Sequence, residues 1–180
     1  MRESNRNKMV VVALCVLALA IGALRAGAPT GVLAGATEAN PAVDTGTDAA
    51  VAAGQEWSRQ WSAGHLEETL ALYTPGAVFF TGEGGRVVGR AAIHDLFQKW
   101  IDSSTATIQL HSLNSESSGD LAYDSGDYTE TITFKTAMGS TPAGTKINYA
   151  GCFLLVLKRQ ADGKWLIVQH MWTGAPADSK

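Results

Sequence analysis

Apolar residues recur at roughly helical spacing from Ala49 onward: Val51, Trp57 and Trp61, then Leu66, Leu70 and Leu72 beyond Gly64. The spacing predicts two helices broken at Ala63-Gly64. Trp57 and Trp61 lie one turn apart, so both project from one face toward a core. Tyr73-Thr74-Pro75-Gly76 stops the second helix, and a short strand at 77–81 leads through Glu83-Gly84-Gly85 to a hairpin partner at Val87 and Val88. After Gly89 the positions Ile93, Leu96, Phe97, Trp100 and Ile101 fit an amphipathic helix ending near Ser103. Strands follow at 105–113, 121–135, 146–159 and 165–173, separated by turns such as Ser118-Gly119-Asp120 and Ala161-Asp162-Gly163. Three helices before a long antiparallel sheet give an α+β class, with the helices covering one face of a curved sheet.

The flanks have a different grammar. Arg2, Arg6 and Lys8 precede an apolar run from Met9 to Leu24, and Arg25 and Ala26-Gly27-Ala28 follow it. That order is a secretory signal with cleavage after Ala28 or Ala36. As a helix the run would rise only about 24 Å, short of a bilayer core of about 30 Å, so an uncleaved anchor is the weaker alternative. From Pro29 to about Asp48 the chain is Ala, Gly, Thr, Pro and acid without an apolar period, as in a flexible linker. The expected division is a signal at 1–28, a linker at 29–50, a domain at 51–173 and a tail at 174–180. The expected location is periplasmic or secreted, with no membrane association once the signal is gone.

Removing residues 1–28 leaves 10 basic against 16 acidic side chains. The mature chain is acidic and carries no Lys/Arg stripe, which argues against nucleic acid as a partner. Cys152 would be the sole remaining cysteine, within an apolar strand, so a disulfide cannot staple the domain and a buried, inert thiol is expected. No His/Asp/Glu spacing meets a metal-site pattern, and neither metal nor cofactor is expected.

Five local patterns, in order, carry a resemblance: Trp57-x3-Trp61-x2-Gly64-His65-Leu66, Leu72-Tyr73-x3-Ala77-Val78, Gly89-Arg90-x2-Ile93, Gly119-Asp120-Leu121-Ala122 and Gly163-Lys164-Trp165-x-Ile167-x4-Trp172. Residues 51–173 resemble the nuclear transport factor 2-like (NTF2-like) superfamily, nearest its SnoaL-like and DUF4440 branches. The resemblance implies a cone-shaped fold around a pocket and a homodimer. It leaves the chemistry open, since the superfamily holds isomerases, cyclases, dehydratases and pockets without known chemistry. Laid over the ketosteroid isomerase pattern, the oxyanion Tyr falls on Trp57, the carboxylate base on Thr81 and the protonated Asp near Phe153. Isomerase chemistry by that route lacks all three groups.

The same comparison predicts facing, because strand positions alternate. Leu166, Val168, His170 and Trp172 should point inward from the last strand, and Tyr149, Gly151, Phe153 and Leu155 from the one before it. The candidate ligand-contacting set is Trp57, Trp61, Tyr73, Thr81, Phe97, Tyr149, Phe153, His170 and Trp172, a lining suited to a small hydrophobic or aromatic molecule. His170 is the notable polar group on that wall. Asp127 and Glu130 fall on opposite faces of one strand, so only one faces inward unless Gly126 supplies a bulge. Three readings compete: a binding module for a flat apolar molecule, a lyase, isomerase or cyclase using His170 with Asp127 or Glu130, and a dimerisation domain with a filled cone.

Overall fold

The structure is a computed structural model that describes residues 45–177, apart from 83. The signal reading at 1–28, most of the expected linker and the last three residues lie outside the described residues. The elements run α1 (Thr45–Ala63), α2 (Leu66–Ala71), β1 (Tyr73–Phe80), β2 (Arg86–Val88), α3 (Arg90–Ser103), β3 (Ser104–Ser118), β4 (Leu121–Phe134), β5 (Lys146–Arg159) and β6 (Trp165–Pro176). They form one six-stranded sheet in the order β2-β1-β6-β5-β4-β3, with the helices packed against it. The α+β class holds. The sheet is mixed rather than antiparallel, because β1 runs parallel to β6. The first and last long segments of the domain meet there without a hairpin to set their direction.

Two boundaries differ from expectation. The first helix begins at Thr45, six residues before the expected domain start, and Ala50 is fully buried in it. Its first turns pack through small residues, Gly46, Ala50 and Gly54, which carry no hydrophobic period to read. Tyr73 opens β1 instead of only ending α2, because its backbone pairs with Ile167 across an irregular stretch before Val78.

Seating of α1 is specific. Its Ser58 hydroxyl donates to the Ile108 carbonyl at 2.7 Å, and the Ile108 amide donates to Ser62 Oγ at 3.0 Å. Ser58 and Ser62 lie one helical turn apart, so one face of α1 satisfies a peptide of β3, an edge strand that lacks a partner on that side. That contact turns Trp57 and Trp61 onto the concave face of the sheet.

Two bulges decide which side chains face inward. In β6 Val168 is the extra residue between the pairs Ile167–Leu157 and Gln169–Val156. Ile167, not Leu166 or Val168, therefore fills the core, while His170 and Trp172 keep the expected inward facing. In β3 the extra residue is Leu113, opposite Ser125 and Gly126. The bulge thus belongs to the strand facing Gly126, not to Gly126's own. A Cβ on Gly126 would collide with the His111 carbonyl oxygen, so the close approach requires glycine. Strand β4 stays regular, which buries Asp124, Tyr128 and Glu130 on the inner face and leaves Asp127 outside.

The inner end of the cone is filled. Trp57 stacks on Trp61 with centroids 5.7 Å apart, and Trp57, Phe79 and Tyr73 pack around His170 at 4.9, 5.0 and 6.1 Å. His170 is 2% exposed and its Nδ1 is 2.6 Å from the Tyr73 hydroxyl. Burial depresses its pKa to about 3 and raises that of Tyr73 well above the usual phenol range. His170 is thus a neutral core residue, not a proton-transfer group on an open wall.

The sign of its pH dependence follows. The unfolded chain takes up a proton on this imidazole below about pH 6.5 and the folded chain does not, so stability falls on acidification toward pH 3. His170→Phe should cost about 1–3 kcal/mol at pH 8 by orphaning the Tyr73 hydroxyl. It should also flatten the loss of stability between pH 6.5 and 4 relative to wild type. Urea titrations of both proteins across that range check it, and parallel pH profiles would contradict it.

Candidate functional site

Past the aromatic filling, the wide end of the cone remains open as a cavity of about 500 Å³. Helix α1 supplies Trp61, α3 supplies Leu96, Trp100 and Ser103, and β1 ends at its rim with Thr81 and Gly82 just beyond. The floor is sheet: Ser104 and Ala106 from β3, Tyr128, Glu130, Ile132 and Phe134 from β4, Tyr149 from β5, and Trp172 and Gly174 from β6. Met138, in the β4–β5 connection, closes one side.

Aromatic geometry shapes the cavity. Trp172 stacks on Tyr128 at 5.7 Å and lies 5.9 Å from Trp100, which stacks on Phe97 behind it at 5.5 Å. Trp100, Trp172 and Tyr128 thus form one continuous aromatic surface of the cavity. Tyr128 fits because Gly174 faces it across the sheet; any Cβ there would strike the phenol oxygen.

Glu130 is the acidic group on this surface. Its register partners are Ile108 on β3 and Tyr149 on β5, so it lies between an alkyl chain and a phenol, 5% exposed. Burial pushes its pKa up to about 7, against a small opposing effect of the Trp61 indole N–H. That N–H lies near enough to favour the carboxylate, yet it has no acceptor in hydrogen-bond geometry. Tyr128 is also shifted, to about 12, chiefly by burial and then by the Glu130 charge.

The structure divides the expected ligand set. Trp61, Thr81, Tyr149 and Trp172 line the cavity. Trp57, Tyr73, Phe97, Phe153 and His170 belong instead to the closed core, because the inner cone is packed ring against ring. The acid/base pairing of His170 with a carboxylate does not form. Asp127 is on the outer face, where the Cys152 thiol donates to it at 3.6 Å; Cys152 is exposed rather than buried, because it alternates with the inward Phe153. Neither a hydrogen bond nor an ion pair joins Glu130 to His170.

Sequence reasoning missed Trp100, Tyr128, Leu96 and Met138 as cavity residues. Tyr128 was legible, since it shares a strand face with Glu130. Met138 was not, because it lies in a connection without periodicity. A groove of about 570 Å³ between α2 and α3, lined by Glu67, Arg90, His94 and Asp95, lies outside the cone and is open to solvent. Its His94 contacts Glu67 and Asp95 at 3.4 and 3.3 Å. Among the described residues no cluster of three His, Cys, Asp or Glu side chains is placed to hold a metal ion.

The fold is shared with solved proteins at low identity. A ketosteroid isomerase-like protein from Erwinia carotovora superposes with a TM-score of 0.64 at 17% identity, covering 72% of this chain and 97% of that one. An NTF2-like superfamily protein from Salmonella enterica gives 0.63 at 15%, over 76% and 94%. A candidate scytalone dehydratase from Novosphingobium aromaticivorans gives 0.61 at 12%, over 71% and 83%. At these identities the likeness is one of fold. No curated protein matches the chain by sequence. The profile of the SnoaL-like domain matches residues 55–170. That match over most of the chain places it in the SnoaL-like domain family, on the fold that those NTF2-like structures share.

Proposed function

We infer that this domain binds a small, flat, largely apolar molecule in the cavity lined by Trp100, Trp172, Tyr128 and Trp61. The observation that carries the reading is the division of the cone: its inner end is solid, while its outer end is an open aromatic-walled cavity of about 500 Å³. That size and lining suit a ligand of two or three fused rings. A dimerisation domain with a filled cone would have no use for the opening, although the family resemblance supports pairing of two copies. Export rests on the basic and apolar pattern of residues 1–28.

A second reading, proton transfer, is favoured by one observation. Glu130 has a pKa near 7 and faces the cavity, which suits a general acid or base at neutral pH. In this reading Glu130 acts without His170. The isomerase set remains missing, since Trp57 and Phe153 are in the closed core and the Thr81 hydroxyl accepts the Gly85 amide at the rim.

Three outcomes are expected. In equilibrium dialysis 2-isopropylnaphthalene should bind one per chain, and Ala106→Trp, which puts an indole into the cavity, should weaken it about tenfold or more. Unchanged affinity in that variant would place the ligand elsewhere. Thr81→Asp alone should not produce turnover of a ketosteroid, because the two oxyanion donors, each worth about 10²–10³ in rate, are still lacking.

The third outcome concerns Glu130 and stability. Its folded pKa of about 7 lies above the usual value near 4.5, so the buried charge costs stability above pH 7 and nothing below pH 4.5. Glu130→Gln should therefore be more stable than wild type by about 3 kcal/mol at pH 8.5, a difference that vanishes by pH 4. Urea denaturation of the two proteins reads it, and a pH-independent difference would remove the buried-charge account.

A further inference from the structure

The charge on the cavity wall has one sign. Glu130 is the only acid among the lining residues, and no Lys, Arg or His accompanies it. It is 5% exposed, and among the described residues neither an ion pair nor a hydroxyl answers it. The Trp61 indole N–H favours its charge from nearby. A carboxylate accepts up to about four hydrogen bonds, so one N–H leaves most of that capacity open. Asp124, earlier on the same strand face, shows how this sheet treats a structural carboxylate: Ser112 and Ser115 both donate to it.

The rings around Glu130 act in the same electrostatic sense. Trp61, Tyr128 and Tyr149 lie beside it, and Trp100 and Trp172 continue the wall. An aromatic face is negative by its quadrupole and attracts a cation within about 6 Å.

We propose that the ligand of this cavity is a hydrophobic ammonium ion, a flat aromatic molecule whose single positive charge lies against the Glu130 carboxylate and the rings beside it. This rests on the cavity being the ligand site. Pairing two charges inside a protein is opposed by the desolvation of both. Here folding has already taken the carboxylate out of water, so its share of that cost falls on stability and not on binding. An alkylated ammonium group spreads its charge over methyl groups, which suit an aromatic lining. A ligand carboxylate would meet the Glu130 charge with nothing positive on the wall to offset it.

Glu130 is faced by Trp61 from α1, Ile108 from β3, Tyr149 from β5 and Tyr128 from its own strand. Across the cavity α3 presents Leu96, Trp100 and Ser103, and β6 presents Trp172. None of these groups is a base. Burial holds the Glu130 carboxyl near pKa 7 and the Tyr128 phenol near 12. A bound cation favours the carboxylate, so its binding strengthens as the pH rises through 7. A neutral molecule of the same shape gains nothing from that ionisation.

Equilibrium dialysis with trimethyl(2-naphthyl)ammonium and 2-tert-butylnaphthalene tests this. The two share a shape, and only the first is charged, with a charge that does not titrate. The ratio of cation to hydrocarbon affinity at pH 8.5 should fall about tenfold or more in Glu130→Gln. In wild type the ratio should rise about tenfold between pH 5.5 and 8.5, and in Glu130→Gln it should hold constant. An equal ratio in the two proteins places any bound cation on the acidic exterior and overturns the inference, while hydrocarbon binding still supports the cavity. A wild-type ratio that does not rise with pH overturns it as well. Failure of wild type to bind either probe overturns the cavity reading and the inference together. If Glu130→Gln does not fold, the wild-type pH series decides.

Discussion

The stacked pair Trp57–Trp61 divides the interior of this domain. Trp57 closes over His170 and Tyr73, whereas Trp61, one turn later, presents its ring to the open end of the cone. Their placement depends on α1 being held against an edge strand by Ser58 and Ser62, which satisfy the Ile108 peptide between them. Two contacts one turn apart fix rotation as well as position of the helix. A rotation of α1 by one residue, about 100°, would carry both indoles off the sheet and leave the Ile108 groups unpaired.

Polar groups in the interior follow two policies. Asp124 is buried but fully answered: the bulge at Leu113 puts Ser112 and Ser115, three residues apart, on the same face, and both hydroxyls donate to it at 2.9 and 2.8 Å. That arrangement ties the β3 bulge to β4, and Gly126 leaves the space it needs. His170 is likewise answered by Tyr73. Glu130, on the same face of that strand, is buried between Ile108 and Tyr149 without a hydroxyl donor, and only the Trp61 indole N–H favours its charge. The contrast within one strand gives Glu130 its significance, since burial itself is common to both carboxylates.

The long strands reconcile a closed end with an open one. Four strands of 12–15 residues continue past the core into the cavity floor. Along β5 the inward row runs Leu157, Leu155, Phe153, Gly151, Tyr149, from aliphatic through aromatic to a glycine gap and a phenol. Along β6 it runs Ile167, His170, Trp172, Gly174. Each row begins in the closed core and reaches the cavity wall, at Tyr149 in one and at Trp172 and Gly174 in the other, so one continuous surface serves as core at one end and borders the cavity at the other.

Much of this was determined by local sequence. Helical spacing of Trp57 and Trp61, the stripe from Ile93 to Ile101, and alternation along β5 specify element type and inward face, because each depends only on near neighbours in the chain. The choice of Glu130 as a candidate and the exclusion of one of Asp127 and Glu130 also follow from period-two alternation. Tertiary structure decided the rest. The strand bulges shift facing by one residue in response to the opposite strand, so Ile167 replaces Leu166 and Val168, and Ser112 joins Ser115. Whether an inward aromatic fills a core or lines a cavity depends on how far the helices reach over the sheet, which no single strand encodes. For that reason His170, inward as its strand predicts, lies sealed beneath Trp57, while Glu130 on the neighbouring surface is left facing the open end.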